Sequence, residues 1–206
     1  MRRVNVVGTS GSGKTTYGAA LARRLGVPHV ELDALSWEAN WVSVAPAVLR
    51  DRVARAVAAD EWVVDGNYGA TRDLVWARAD TVVWLDFRFA LVMWRVIART
   101  LRRSLRGDEL WSGNRESLRL ALSRDSIILW ALTTFHRRRR DYPGLFREHP
   151  GVRFVRLRSP TQARRFLEAI ASPAPDPVSA PRSRPGQPPG DSPAGGATTS
   201  GAPGRR

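Results

Sequence analysis

The chain has 206 residues and a formal net charge of +14, from 33 lysine and arginine residues against 19 aspartate and glutamate residues. It has no cysteine, which excludes disulfides, thiolate metal sites and cysteine nucleophiles. The charge points to anionic partners such as nucleotides, phosphorylated metabolites, nucleic acid or acidic lipid, without choosing among them.

The first predicted strand is Arg3 to Val7, followed by a helix from about Gly13 to Leu25 with Ala20, Leu21 and Leu25 on one face. Gly26-Val27-Pro28 makes a turn, and His29 to Leu32 is a second strand closed by Asp33. Pro46 to Ala59 reads as a helix whose apolar face is Val48, Leu49, Val53 and Val57. Glu61 to Val64 is a third strand ending at Asp65-Gly66, and Leu74 to Arg78 a short helix. Thr81 to Leu85 is nearly all apolar, hence a strand buried on both faces. Leu91 to Arg103 is a long helix, residues 106–116 are polar, and Ser126 to about Arg140 is another helix. Val152 to Leu157 and Thr161 to Ile170 are the last strand and helix. Strand–helix alternation implies a parallel sheet with helices on both faces.

The predicted folded unit is residues 1–171. From Ser172 the last 35 residues hold nine of the 14 prolines, and Val178 is their only large apolar residue. Such a segment buries too little surface to offset its ordering entropy, so 172–206 is predicted to be a disordered tail. The N-terminus lacks the apolar run of a signal peptide. The longest apolar stretch, Ile127 to Leu132, is too short to span a bilayer and is expected in a buried helix ending in a solvated basic turn. A cytoplasmic protein without membrane attachment is therefore expected.

Of the 33 cationic residues, 32 are arginine. The exception, Lys14, sits in Gly8-Thr9-Ser10-Gly11-Ser12-Gly13-Lys14-Thr15, which matches the phosphate-binding loop pattern G-x-x-x-x-G-K-[ST]. A slim ammonium reaches between phosphate oxygens where the broad arginine fork does not. Gly8, Gly11 and Gly13 let the backbone N–H groups turn inward on a phosphate chain, and the following helix adds its positive end. Lys14 would contact the β- and γ-phosphates of ATP, and Thr15 would place its hydroxyl on Mg²⁺. Ser10, Ser12 and Thr16 complete the nucleotide-binding set.

In such a sheet the ligand lies beyond the C-terminal strand ends. Asp65, after Trp62-Val63-Val64, has the place of a carboxylate that serves Mg²⁺ beside the loop. Asp33 is a candidate to accept a proton from an acceptor hydroxyl, or to orient it. Asp86 is expected to cap the following helix. Trp37 and Trp41 have two open readings, stacking on a planar acceptor or packing the core. His29 is expected to pack in or beside the second strand, and no metal spacing links it to His136 or His149.

Gly8 to Thr16, Leu32-Asp33-Ala34-Leu35-Ser36-Trp37 with Trp41, Val64-Asp65-Gly66-Asn67-Tyr68-Gly69, and Leu157-Arg158-Ser159-Pro160 carry a family resemblance. The chain resembles small P-loop kinases of the adenylate kinase-like group, most narrowly the bacterial DNA topology modulation or adenylate kinase-related proteins. The resemblance implies a P-loop NTPase three-layer α/β fold, a five-stranded parallel sheet of order 2-3-1-4-5, and a helical lid at about 103–124. It implies that Arg95 lies over the adenine and Arg99 near the phosphates, and that one or two of Arg137 to Arg140, with Arg137 the candidate, complete a phosphate clamp. It places Ser159 and Pro160 beside the nucleotide, and Asp33, Trp37, Trp41, Asn67 and Tyr68 around the acceptor. The glycine-phenylalanine-proline-arginine string of true adenylate kinases is replaced here by Asp65 to Gly69, with Arg72 nearby, so a nucleoside monophosphate acceptor is not expected.

The leading expectation is therefore a phosphotransferase that uses ATP and Mg²⁺ on an unidentified small-molecule acceptor. The alternative is a nucleotide-dependent binding protein whose basic surface engages nucleic acid or a protein, although no nucleic-acid motif appears.

Overall fold

A computed structural model describes residues 1–106, 111–113 and 127–170. These lie within one unit, Met1–Pro173, distinct from Ala174–Arg206. The expected tail and most of the expected lid fall outside the described residues.

The elements in order are β1 (Arg3–Gly8), α1 (Lys14–Leu25), β2 (His29–Glu31), α2 (Leu32–Ser36), α3 (Pro46–Ala56), β3 (Trp62–Asp65), α4 (Arg72–Trp76), β4 (Thr81–Leu85), α5 (Phe89–Arg106), α6 (Ile127–Arg147), β5 (Arg153–Leu157) and α7 (Pro160–Glu168). The strands form a parallel sheet of order β2-β3-β1-β4-β5, the order expected. β1 and β4 are buried along nearly their whole length, as valine-rich strands covered on both faces must be.

Side chains alternate across the pleat, and the core divides accordingly. On one face Val7, Trp62, Val64 and Trp84 pack with Leu49 and Val53 of α3, Trp76 of α4 and Tyr142 of α6. On the other, Val4, Val6, Val63, Val83 and Leu85 pack with Leu21 of α1, Val92 of α5, Phe135 of α6 and Ala163 of α7. The result is three layers, helix, sheet, helix. Trp76 Nε1 donates to Asn5 Oδ1 at 2.9 Å, and Asn5 Nδ2 donates to Val64 O at 3.0 Å, so both buried polar side chains are satisfied.

Several expectations need correction. β2 ends at Glu31, and Asp33 stands in the first turn of α2 rather than closing a strand. α3 stops at Ala56, and Val48 is 43% exposed, so its apolar face is narrower than the spacing suggested. α5 is longer at both ends than expected, and α6 runs to Arg147 through Pro143. Proline removes one helical hydrogen bond, but the last turns are held by packing. Tyr142 and Phe146 lie 5.1 and 5.7 Å from the Trp84 ring, and Phe146 stacks on Phe154 at 4.0 Å. The apolar run at the start of α6 is not buried as a whole: Ala131 is, whereas Leu129, Trp130 and Leu132 are exposed. Among the described residues no helix is long and apolar enough to cross a membrane.

Asp86 does not cap α5. It is buried, and it accepts from Arg139 Nε at 2.5 Å and from Arg156 Nε and Nη2 at 2.8 and 2.5 Å. Two guanidinium groups, one stacked over Phe135 and the other over Trp84, thus tie α6 and β5 to the end of β4.

Candidate active site

β1 ends at Gly8 between β3 and β4, and the chain then wraps to the start of α1. Gly11 and Gly13 have φ of 82° and 88°, left-handed values that favour glycine. Ser12 N donates to Thr9 O at 3.0 Å, which closes the loop. A Cβ on Gly11 would stand 2.8 Å from Val92 O and in collision with Val96 Cγ2, so α5 packs directly on the loop backbone. The Ser12 hydroxyl is buried without a hydrogen-bond partner. An unpaired buried hydroxyl in a ring of inward backbone turns suits a phosphate oxygen acceptor.

Asn67 braces this loop from the neighbouring strand connection. Its Oδ1 accepts from Gly8 N at 2.9 Å, and its Nδ2 donates to Gly8 O. Tyr142 OH, from α6, donates to the same Oδ1 at 3.0 Å. The amide expected near the acceptor thus holds the loop in place.

Asp65 ends β3 and is 2% exposed. Its Oδ1 accepts from Thr15 Oγ1 at 3.1 Å, and its Oδ2 lies 2.8 Å from His29 Nε2. Parallel pairing sets His29 opposite Val63 and Glu31 opposite Asp65. Gly18 on α1 leaves the room, since a Cβ there would sit 2.8 Å from His29 Nε2. Sequence reading missed this role of His29. Its signal was a glycine in mid-helix opposite a strand histidine. Among the described residues no group of three or more His, Cys, Asp or Glu side chains could hold a metal. One hydroxyl and one carboxylate fit Mg²⁺, which keeps water and phosphate oxygens as its other ligands.

Lys14 is half-buried at the loop's end. Burial pushes its ammonium down from the ordinary lysine range; Asp33 and Asp65 oppose that, while Arg138 and Arg99 reinforce it.

Beyond the loop opens a cleft of about 2140 Å³. A single small-ligand site occupies roughly 300–1,000 Å³, so the cleft has room for more than one small ligand. Its walls include Ser10, Thr16, Asp33, Trp37, Trp41 and Tyr68, and on the helices Arg95, Arg99 and Arg137. Arg95 lies over the Phe87 ring at 5.6 Å, and its Nη1 is 3.8 Å from where a Gly13 Cβ would stand. Pro160, which opens α7, also lines the cleft; Ser159 caps that helix, accepting from Gln162 N at 3.2 Å.

Asp33 Oδ1 accepts from Tyr68 OH at 2.7 Å, and the same hydroxyl lies 2.5 Å from Ser36 Oγ. Burial first, and the charge of Asp33 second, push the Tyr68 phenol well above its ordinary range, so it stays a donor. Trp37 and Trp41 meet edge to face at 5.7 Å and are part-exposed to the cleft rather than in the core.

The four arginines of α6 separate by helix phase. Arg139 is held by Asp86, and Arg140 pairs with Asp141 at the surface. Arg137 and Arg138 line the cleft. Arg137 is exposed, whereas Arg138 is part-buried, with its Nη1 shielded from solvent and lacking a partner. Ala131, Phe135 and Tyr142 are buried, and position 138 completes that stripe. The stripe was the signal that distinguished Arg138 within the run.

No curated protein matches the chain significantly. A sequence model of the ATPase family associated with various cellular activities (AAA) matches residues 4–65, from β1 through β3. The fold is similar to that of shikimate kinase from Bacteroides thetaiotaomicron, with a TM-score of 0.51 at 16% identity over 81% of this chain and 94% of that one. Shikimate kinase from Acinetobacter baumannii, in complex with shikimate, gives a TM-score of 0.52 at 18% identity over 82% and 90%. Loop geometry, strand order and these likenesses together give the chain the three-layer fold of the P-loop kinases.

Proposed function

We propose that the protein is an ATP-dependent phosphotransferase acting on a hydroxyl group of a small molecule, and that it stands nearest the adenylate kinase-like group. The observation that carries this is a positioned carboxylate in the same cleft as the phosphate loop. The loop, Lys14 and Thr15, whose hydroxyl donates to Asp65 at 3.1 Å, share the cleft with Asp33, held by Tyr68 at 2.7 Å and near enough to act on Lys14. A protein that only binds nucleotide needs the loop and has no use for a second, positioned carboxylate beside it.

In this reading the backbone from Gly8 to Thr15 cradles the polyphosphate, with Ser10, Ser12 and Thr16 around it. Arg95 lies toward the base, together with Ser159 and Pro160. Thr15 and Asp65 hold Mg²⁺, which neutralises phosphate charge when bound. Lys14, Arg99 and Arg137 meet the charge on the phosphoryl group as it transfers. Asp33 takes the acceptor's proton. Trp37 and Trp41 wall the acceptor and, with Tyr68, exclude water from it.

The test is ATP turnover by the full chain with Mg²⁺, screened against small hydroxyl compounds and against DNA. ADP release that rises with a hydroxyl compound, together with a phosphorylated product, is expected. Release that rises only with DNA would instead favour a nucleotide-switched binding protein.

A further inference from the structure

The acceptor side of the cleft carries more positive charge than a neutral alcohol needs. Arg72, at the start of α4, and Arg138, on the buried stripe of α6, both line it. Neither is drawn into the ion pairs that engage Arg50, Arg52, Arg139 and Arg156. Arg72 instead lies over the Trp76 ring at 5.4 Å. Arg138 is close enough to Arg72, Arg137 and Lys14 for each to act on it or be acted on by it, and it has a buried, unpartnered Nη1.

A shielded guanidinium N–H without an acceptor costs free energy, and like charges beside it raise that cost. Asp33 offsets part of it, yet one of its two oxygens is committed to Tyr68. One residue further along α6 the fold solves the same problem by burying Asp86 between the guanidinium groups of Arg139 and Arg156. Among the described residues no carboxylate is hydrogen-bonded to Arg138 or Arg72, which leaves both guanidinium groups open to an anion from outside.

We propose that the acceptor is a hydroxylated anion, a compound with a carboxylate or phosphate group near its reacting hydroxyl, and that Arg72 and Arg138 hold the anionic group. The inference rests on the phosphotransferase reading above and narrows its substrate. The acceptor's hydroxyl oxygen forms the new bond to the γ-phosphorus. The bond from that phosphorus to the β–γ bridging oxygen breaks, and its electron pair leaves on ADP. The hydroxyl proton passes to the free oxygen of Asp33 and then to solvent. A guanidinium pair that fixes the anion fixes the hydroxyl's distance from the γ-phosphorus, which is where positioning lowers the barrier.

The experiment uses the full chain saturated with a non-hydrolysable ATP analogue and Mg²⁺, so that the loop is occupied and added anions do not enter it. Tartrate, glycerol 3-phosphate and glycerol are then titrated by calorimetry. At least one of the two anions is expected to bind ten-fold or more tighter than glycerol, and whichever is tighter identifies the anionic group. Arg72→Gln and Arg138→Gln, each checked for a melting temperature no lower than the parent's, are expected to erase that preference while leaving analogue binding within about two-fold. Equal binding of glycerol and the anions, no binding of any of the three, or a preference that survives both substitutions would overturn the proposal. If Arg138→Gln weakens the analogue and Arg72→Gln changes nothing, Arg138 belongs to the nucleotide clamp and the proposal also fails. Failure of the analogue to bind, with an anion preference that Arg72→Gln and Arg138→Gln erase, would strike at the phosphotransferase reading and leave the anion site itself standing.

Discussion

The two sides of the cleft are built by different means. The nucleotide side is eight consecutive residues whose backbone does the work, pinned by Asn67 on Gly8 and by α5 against Gly11. The proposed acceptor side is lined by side chains of α2, α4, α6 and the segment after β3: Asp33, Arg72, Arg138 and Tyr68. Among the described residues Asn67 links the two, bonded to Gly8 of the loop and accepting from Tyr142 of α6. A backbone-built site tolerates little change and fixes the chemistry. A side-chain-built site can be altered residue by residue on an intact sheet, and it sets the substrate.

Lys14→Met gives the largest expected effect and tests the nucleotide side directly. Loss of about 3 kcal/mol or more of transition-state stabilisation is expected, read as a drop in phosphoryl transfer of at least about a hundred-fold. Stability should move the other way. Burial lowers the folded-state pKa of Lys14, so the charged ammonium opposes folding at neutral pH and at all pH below its unfolded value near 10.4. The variant should therefore melt higher than the parent without nucleotide, and addition of ATP·Mg²⁺ should narrow the gap. A well-folded variant with normal turnover would remove the distinction between the two sides.

Asp65→Asn comes next. It keeps the shape of the side chain that meets Thr15 and His29 but removes the negative charge. Turnover should fall about ten- to a hundred-fold, with the Mg²⁺ concentration for half-maximal rate raised and metal-free nucleotide binding little changed. Equal loss of metal-free binding would mean that Asp65 supports the loop rather than the ion.

The same contrast explains what could be read without coordinates. The loop around Lys14 stood out because its pattern is contiguous, and the strand, glycine turn and helix it implies are the ones found. The parallel sheet followed from strand–helix alternation and its order from the family resemblance, and the sheet bears both out. The contact between His29 and Asp65 was not legible, because it depends on the register of β2 against β3 and on a glycine of α1. Asp33 looked like a strand end, whereas the chain turns into α2 one residue earlier. Arg138 was hidden inside four identical residues. The buried stripe of Ala131, Phe135 and Tyr142 picks it out, and the expected helix end near Arg140 left Tyr142 outside that stripe.

Gly11→Ala asks how rigid the backbone-built side is. The new Cβ would meet Val92 O at 2.8 Å and collide with Val96, at a φ of 82°. Overpacking and a left-handed alanine together should cost about 2–4 kcal/mol, seen as a lower melting temperature along with weakened nucleotide binding. A stability loss without any change in nucleotide affinity would show that the loop adapts, and that its backbone is less exacting than the comparison holds.

The smallest effect is expected at the anchor of the acceptor side. Asp73 follows Arg72 on α4, and Arg50 of α3 grips it with two hydrogen bonds, of 2.8 and 2.7 Å. Those bonds hold the Asp73 carboxyl down at about 2, below the ordinary carboxylate range. A depressed carboxylate stabilises the fold above its unfolded pKa near 3.9, and loses that contribution as the pH falls through about 2. The pair is solvent-exposed, so its worth is small. Asp73→Asn should shift the melting temperature by no more than about 2 °C at pH 7, and the difference from the parent should vanish as the pH approaches 2. Turnover should change less than for either of the first two substitutions, since the bond orients α4 without touching a ligand. A large loss of acceptor affinity with an unchanged melting temperature would show that α4 must be clamped for Arg72 to reach the cleft, making the side-chain-built half as demanding as the loop.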